Sequence, residues 1–218
     1  MFAKTIQLDI NPFHLLKHDF YKKWSEGKLK MEELQEYSCQ YFHHVSAFPR
    51  YISTIHSRCA DINNRQILLD NLVDEEKGSE NHPELWQRFA EGIGVSRERV
   101  AKTKLNPETK ELIDGFFELC SESYAKGLGA LYAYEYQVPE VATSKIDGLK
   151  KFYGLDNERA LKFFQVHITA DEWHSQECIN LLNKLSPAEQ EEAKLGARSA
   201  AVLLWKFLDG VNKTPYHC

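Results

Sequence analysis

Three side chains in the segment KFFQVHITADEWHSQECINLL have the types and spacing that bind a metal ion: His167, Asp171 and His174. At 100° per residue, Asp171 lies about 40° from His167 on a helical wheel, and His174 lies about 20° to the other side. All three potential ligands would therefore share one helix face over two turns. The alternative is an ordinary polar stripe on the surface of a helix.

Two further places in the chain could complete such a site. Glu75 and His82 lie seven residues apart, with Gly78 and Asn81 between them. A corner between two helices would aim both side chains inward, whereas a solvated acidic run ending in a helix cap is the alternative. Glu135 stands among small and aromatic residues in GLGALYAYEYQVP, where a buried carboxylate needs a partner. That partner is either a salt bridge or a metal ion.

Taken together, these places supply three histidines and three carboxylates. This mixed nitrogen and oxygen set suits two ions such as iron or manganese, and the lack of thiolate ligands disfavours structural zinc. Two ions bridged by carboxylates typically activate O₂ or hydrolyse esters. The five cysteines are odd in number, scattered and without a CxxC motif, which favours a reducing cytoplasm over a disulfide framework.

Helices must position these groups, because apolar residues recur at a spacing of three to four almost everywhere. The pattern predicts helices over about 11–26, 31–59, 62–78, 82–93, 108–138, 139–153, 157–184 and 187–211. The stretch 95–107 is predicted to be a connection with at most one short turn, capped by Ser96. Asn11 and Pro12 are a plausible start for the first helix, and Gly127 and Gly129 are expected to soften the helix over 108–138. The sequence therefore predicts an all-α, bundle-like single domain of seven or eight helices.

Composition argues against several classes of partner. The 218 residues include 27 basic and 32 acidic side chains, and the net charge of −5 argues against a nucleic-acid-binding surface. No apolar run approaches the roughly 18 residues of a membrane-spanning helix, and MFAKTIQLDI lacks the pattern of a signal peptide. We therefore expect a cytoplasmic protein that binds neither nucleic acid nor membrane.

Aromatic side chains and one lysine are the remaining candidates for chemistry. Five tyrosines fall on or beside interior stripes, where a buried phenol needs a hydrogen-bond partner: Tyr21, Tyr37, Tyr41, Tyr132 and Tyr134. Near an oxidising metal pair, such a phenol would also be a ready electron donor. Lys145 follows Glu135 closely, although an ordinary solvated lysine is the alternative.

Several stretches, in order, resemble one known family. FYKKWSEGKL, AFPRYISTIHSRC, LLDNLVDEE, LYAYEYQVP and HITADEWH together resemble the chlamydial protein associating with death domains and its relatives, over about residues 10–210. These relatives are di-metal oxidases with a haem-oxygenase-like fold. The resemblance implies one such domain over residues 1–218, with a core at about 10–211. It also implies six ligands to an Fe/Fe or Fe/Mn pair: Glu75, His82, Glu135, His167, Asp171 and His174. Glu76 leaves a one-residue ambiguity, although the seven-residue step to His82 favours Glu75.

The resemblance further implies an activity. The family makes para-aminobenzoate for folate biosynthesis, using O₂ and an external reductant, and sacrifices one of its own tyrosines as the source of the ring. The matching tyrosine here is Tyr21, and the matching lysine, Lys145, would supply the amino nitrogen. Tyr37 and Tyr134 match further tyrosines that transfer electrons or orient groups. A homodimer is expected. Binding to host death domains carries over poorly because that partner is particular to an intracellular pathogen, and the tail TPYHC also departs from the cysteine-rich chlamydial tail.

Two alternatives remain open at the level of sequence. The first is a metal-free enzyme of the same fold, of the thiamine-hydrolysing or quinone-cofactor-forming kind, with Cys39 or Cys120 as the nucleophile. The second is an interaction protein whose helices present a docking surface, for example to death domains. It predicts no O₂ consumption and tolerance of His174→Ala.

Overall fold

The computed structural model describes residues 2–213, which form helices, turns and connections without any β-strand. Two short 3₁₀ turns cover Asn11–Phe13 and Leu15–Lys17. The α-helices are α1 Phe2–Ile10, α2 Asp19–Ser25, α3 Met31–Arg58, α4 Ile62–Glu76, α5 His82–Gly92, α6 Arg97–Lys102, α7 Pro107–Glu122, α8 Tyr124–Glu135, α9 Val138–Tyr153, α10 Glu158–Leu182 and α11 Pro187–Lys213. The all-α prediction is confirmed. The tail TPYHC lies outside the described residues.

The prediction of seven or eight helices is wrong because α1 and α6 were not predicted and the predicted helix over 108–138 is divided. Over 11–26, the chain forms the two 3₁₀ turns and α2 instead of one helix, and α1 precedes them. Pro12 begins only a short turn, and His18 has extended backbone and caps α2 by accepting the Phe20 N–H at Nδ1. The predicted helix over 108–138 is interrupted at Ser123, which is also extended and caps α8. A capping side chain offers the backbone an alternative to continuing the helix.

The stretch predicted to be a connection with at most one short turn, 95–107, contains a six-residue helix, α6. The Ser96 hydroxyl accepts a hydrogen bond from the Arg99 N–H and starts α6. Within residues 2–213, no helix has the length and apolar character that crossing a bilayer requires.

Helix α8 is the central helix of the bundle, and every residue from Gly127 to Glu135 is buried. It packs closely along α11, because a Cβ atom at Gly129 would lie 1.9 Å from the Ala193 carbonyl oxygen. The same holds at Gly196, where a Cβ would lie 2.2 Å from the Lys126 carbonyl oxygen. Glycine at both positions lets the two backbones touch. This contact carries Glu135, the last residue of α8, into the middle of the molecule.

A candidate di-metal centre

The corner between α4 and α5 brings Glu75 and His82 together. Helix α4 ends at Glu76, Gly78 takes a φ of +90°, and the Asn81 side chain accepts the Glu84 N–H to start α5 at His82. His82 Nδ1 then lies 2.6 Å from Glu75 Oε2. Glu75 is buried whereas Glu76 is exposed, so Glu75 is the carboxylate of this pair that faces the interior beside His82.

Helix α10 presents His167, Asp171 and His174 on one buried face, so the polar surface stripe is excluded. The His167 and His82 rings have centroids 4.2 Å apart. His167 Nδ1 lies 2.6 Å from the Phe163 carbonyl oxygen. Because a carbonyl only accepts, Nδ1 carries the hydrogen and Nε2 keeps its lone pair for a metal.

Among residues 2–213, no cationic side chain forms a salt bridge with Glu135, which is the ordinary solution for a buried carboxylate. It accepts a hydrogen bond from Asn71 Nδ2 at 2.6 Å and one from the Cys178 thiol at 3.1 Å. Asn71 and Cys178 did not emerge as site residues from the sequence. The available signal was helical spacing, since Asn71 lies four residues before Glu75 and Cys178 four after His174.

The ligand atoms of these six residues form two groups, and within each group they lie within 4.8 Å of one another. We call Glu75, His82 and His167 the first group, and Glu135, Asp171 and His174 the second group. In the second group, Asp171 Oδ2 and His174 Nδ1 are buried and have no hydrogen-bond partner in the described part of the chain. Such atoms are costly to bury unless something satisfies them, and a cation between carboxylate and imidazole would do so. The six side chains therefore fit a pair of metal ions.

In the protein without bound ions, the pKa values of the site residues indicate a site that lacks positive charge. Burial raises the pKa of Glu135 to about 7 and that of Asp171 to about 6. Burial also lowers the pKa of His174, but Asp171 and Glu135 outweigh it and raise the pKa to about 9. Bound cations would favour ionised carboxylates and neutral imidazoles instead.

Beside the candidate metal ligands, Lys145 and two tyrosines form a buried hydrogen-bonded cluster. Lys145 Nζ donates to Tyr37 Oη at 2.8 Å, and Tyr37 Oη lies 3.0 Å from Tyr21 Oη. Lys145 is only 4% exposed, so it is not a solvated helix lysine. Burial lowers its pKa to about 7. Six aromatic rings lie within 5.2–6.0 Å of its Nζ: Tyr21, Trp24, Tyr37, Tyr41, Trp86 and Phe164.

A second pair of tyrosines continues this cluster. Tyr134 Oη lies 2.8 Å from Tyr41 Oη, and the Tyr41 ring stacks on the Tyr37 ring with centroids 5.3 Å apart. The sequence suggested Tyr41 only as one of several interior tyrosines. Its spacing of four from Tyr37 on α3 was the signal that could have singled it out.

One small cavity joins the tyrosine cluster to the metal ligands. It has a volume of about 10 Å³, and its lining includes Tyr21, Tyr41, Tyr134, Lys145 and His167. The helices α2, α3, α8, α9 and α10 each contribute to this wall. Four of the site residues inferred from the sequence, Tyr21, Tyr134, Lys145 and His167, thus line one cavity.

Comparison with known proteins agrees with this geometry. A family model described as an iron-containing redox enzyme matches residues 35–205. The chain belongs to that family. It is 42% identical to a 4-aminobenzoate synthase of Nitrosomonas europaea, over 97% of this chain and 91% of the relative. It is also 42% identical to a 4-aminobenzoate synthase of Chlamydia pneumoniae, over 99% of this chain and 97% of the relative.

Among solved structures, a CADD-like protein of unknown function from Nostoc punctiforme matches with a TM-score of 0.78. It is 16% identical, and the match covers 98% of this chain and all of that one. At this identity the match concerns the fold alone, which is haem-oxygenase-like as the sequence resemblance implied. Membership in a family of redox enzymes makes the protein an oxidoreductase, as expected.

Cys39 and Cys120 do not have the environment of a nucleophile. Cys39 and Cys120 are both buried, and neither lines the cavity that holds Lys145. Burial raises the pKa of both thiols, that of Cys120 to about 12. A nucleophilic cysteine needs the opposite shift, because the thiolate is the reactive form. The metal-free alternative therefore gains no support from either residue.

Proposed function

We propose that this protein is a 4-aminobenzoate synthase that uses O₂ and an external reductant, two metal ions, and its own Tyr21 and Lys145. The two ions are an Fe/Fe or Fe/Mn pair held by the first and second groups. The observation that carries the proposal is the single cavity lined by Tyr21, Lys145 and the metal ligand His167. The 42% identity to two 4-aminobenzoate synthases supports the choice of product.

The chemistry of Tyr21 matches the proposed product. A tyrosine side chain is a para-substituted ring that carries one carbon opposite its oxygen, which is the carbon skeleton of 4-aminobenzoate. Formation of the product breaks the Tyr21 Cα–Cβ bond and oxidises Cβ to a carboxylate. The phenolic oxygen leaves as water when the ring carbon bonds to the Lys145 nitrogen, and oxidative cleavage of the Lys145 Nζ–Cε bond then frees the amino group and leaves an aldehyde at Cε. O₂ is the oxidant, and the external reductant supplies the remaining electrons.

Lys145 is suited to supply the nitrogen. Its pKa of about 7 leaves a large fraction of neutral amine, which has a lone pair for bond formation, at neutral pH. Tyr37 lies between this amine and the Tyr21 hydroxyl, so it can hold both and pass a proton between them. The surrounding aromatic rings exclude water from the same space.

The carboxylates and imidazoles of the two groups would hold the ions. When bound, two such ions supply the redox chemistry that activates O₂ for attack on a phenol. Tyr41 and Tyr134 lie between these ligands and Tyr37. Burial raises the pKa of both phenols well above the usual value, which keeps them protonated. An electron taken from either phenol must therefore leave together with a proton.

Tyr21→Phe tests the proposal directly. We expect no 4-aminobenzoate from this variant and an unchanged metal content, because Tyr21 is not a ligand. Tyr51→Phe is the matched control, since Tyr51 is a buried tyrosine whose hydroxyl has no partner. Wild-type chains labelled with ring-¹³C tyrosine and ¹⁵N lysine should yield product that carries both labels. Normal product from Tyr21→Phe, or unlabelled product, would overturn the assignment.

A further inference from the structure

We infer that Asp74 is a positioning residue that orients His174 toward the metal ion of the second group. This inference rests on the proposed function, because it concerns the metal centre. His174 Nε2 lies 3.2 Å from Asp74 Oδ2. The two residues differ sharply in burial: the His174 side chain is 1% exposed and that of Asp74 is 53% exposed. Asp74 is thus a surface carboxylate that reaches a buried ligand.

The contact selects one form of the imidazole. A neutral histidine carries one N–H, and an ionised carboxylate can only accept a hydrogen bond. The hydrogen therefore stays on Nε2, and Nδ1 keeps its lone pair. Nδ1 has no hydrogen-bond partner and lies 3.5 Å from Asp171 Oδ1, inside the second group. The opposite form would place a hydrogen where the metal must bind.

Different kinds of contact hold a histidine ring in the first group and in the second group. In the first group, the ring of His167 is held by the backbone carbonyl of Phe163, which is part of α10 itself. In the second group, the ring of His174 is held by one side chain from another helix, α4. Asp74 also lines a surface groove of about 550 Å³ together with Glu80 and His82. The orienting contact of the second group therefore lies at the solvent boundary.

Titration of metal-free full-length protein with Co²⁺, followed by calorimetry and by visible absorption, tests this inference. Wild type should bind two ions per chain. Asp74→Ala should bind one ion as wild type does and the other about 10–100-fold more weakly, the usual effect of losing such a supporting carboxylate. Asp74→Asn should be intermediate, because its amide oxygen still accepts the Nε2 hydrogen. Asp70→Ala is the matched control, an exposed aspartate one turn earlier on α4.

The outcomes separate the inference from the proposed function. The orienting role would be overturned if Asp74→Ala bound both ions with wild-type affinity. It would also be overturned if Asp74→Ala and Asp74→Asn each bound both ions equally more weakly than wild type. The near-isosteric asparagine keeps the test valid if the alanine variant fails to fold. Wild-type protein that binds fewer than two ions would overturn the proposed function and this inference together. Two ions in wild type with unchanged Asp74 variants would overturn the inference alone.

Discussion

At the scale of single residues, Lys145 shows how burial without a counter-charge prepares an amine. Among the described residues, no carboxylate forms an ion pair with it, and its one hydrogen-bond acceptor is Tyr37. Aromatic faces attract an ammonium, but they replace only part of the hydration that burial removes. The pKa therefore falls from 10.5 to about 7. A paired lysine in the same place would remain charged and unreactive.

The lowered pKa of Lys145 makes product formation depend on pH. Below about pH 7 the ammonium predominates, and above it the neutral amine does, so the single-turnover rate should rise through pH 7 and then level off. The measurement is 4-aminobenzoate formed by metal-loaded protein between pH 6 and 8.5, with metal content assayed at each pH as the control. A rate that falls across this range at constant metal content would contradict an amine donor.

Tyr41 is the phenol that touches both halves of the tyrosine cluster, and its loss should slow the reaction. Tyr41→Phe keeps the ring stacked on Tyr37 but removes the hydroxyl bonded to Tyr134. We expect a several-fold slower single turnover with unchanged metal content, because the electron and proton lose their hydrogen-bonded path. Tyr51→Phe, on the same helix and without a hydroxyl partner, should behave as wild type. Equal rates for the two variants would show that Tyr41 serves packing only.

At the scale of elements, the contact between α8 and α11 sets the depth of Glu135. Two glycines allow the helices to meet backbone to backbone, on opposite sides of the contact. Helix α8 then ends at Glu135, whose carboxylate reaches Asn71 on α4 and Cys178 on α10. Any increase in the separation of α8 and α11 would shift this carboxylate relative to both neighbours.

Gly129→Ala should therefore destabilise the protein and disturb the second group. The added Cβ meets the rigid backbone of Ala193, and overpacking of this kind costs about 1–3 kcal/mol. Gly115→Ala is the matched control, since its Cβ meets only the end of the Leu203 side chain, 2.6 Å away, which can move. The free energy of unfolding of Gly115→Ala should differ little from that of wild type, because alanine also favours the helix. Denaturant unfolding measures the free energy of unfolding of both variants, and equal values would show that α11 can move away from α8 at little cost.

Hydrophobic periodicity in the sequence was sufficient to predict most helices. It did not predict the helix boundaries near the N-terminus and at Ser123. Those boundaries depend on capping by His18 and Ser123, which local hydrophobic pattern does not encode. The ligand triplet on α10 followed from spacing within one helix. The roles of Asn71 and Asp74 could not be predicted from the sequence, because each depends on which helices pack against each other in the tertiary structure.

At the scale of the whole molecule, the proposed reaction consumes part of the hydrophobic core. The Tyr21 ring is buried against Phe20, Trp24 and Tyr37, on a helix of only seven residues. Its removal would leave a void of aromatic size, and removal of a buried aromatic side chain typically costs about 3–5 kcal/mol. That loss is a large fraction of the stability of an ordinary domain.

The spent chain should therefore unfold more readily than the fresh one. We expect a lower melting temperature and faster cleavage by a nonspecific protease after one turnover, with Tyr21→Phe incubated in the same mixture unchanged. Protein that is equally resistant before and after turnover would show that the surrounding helices close over the gap. Marginal stability in cells translates into chain lifetime, since unfolded molecules are degraded. The burial of Tyr21 would then couple turnover to degradation. A chain that has lost its Tyr21 ring becomes a substrate for proteolysis, and its amino acids return to protein synthesis.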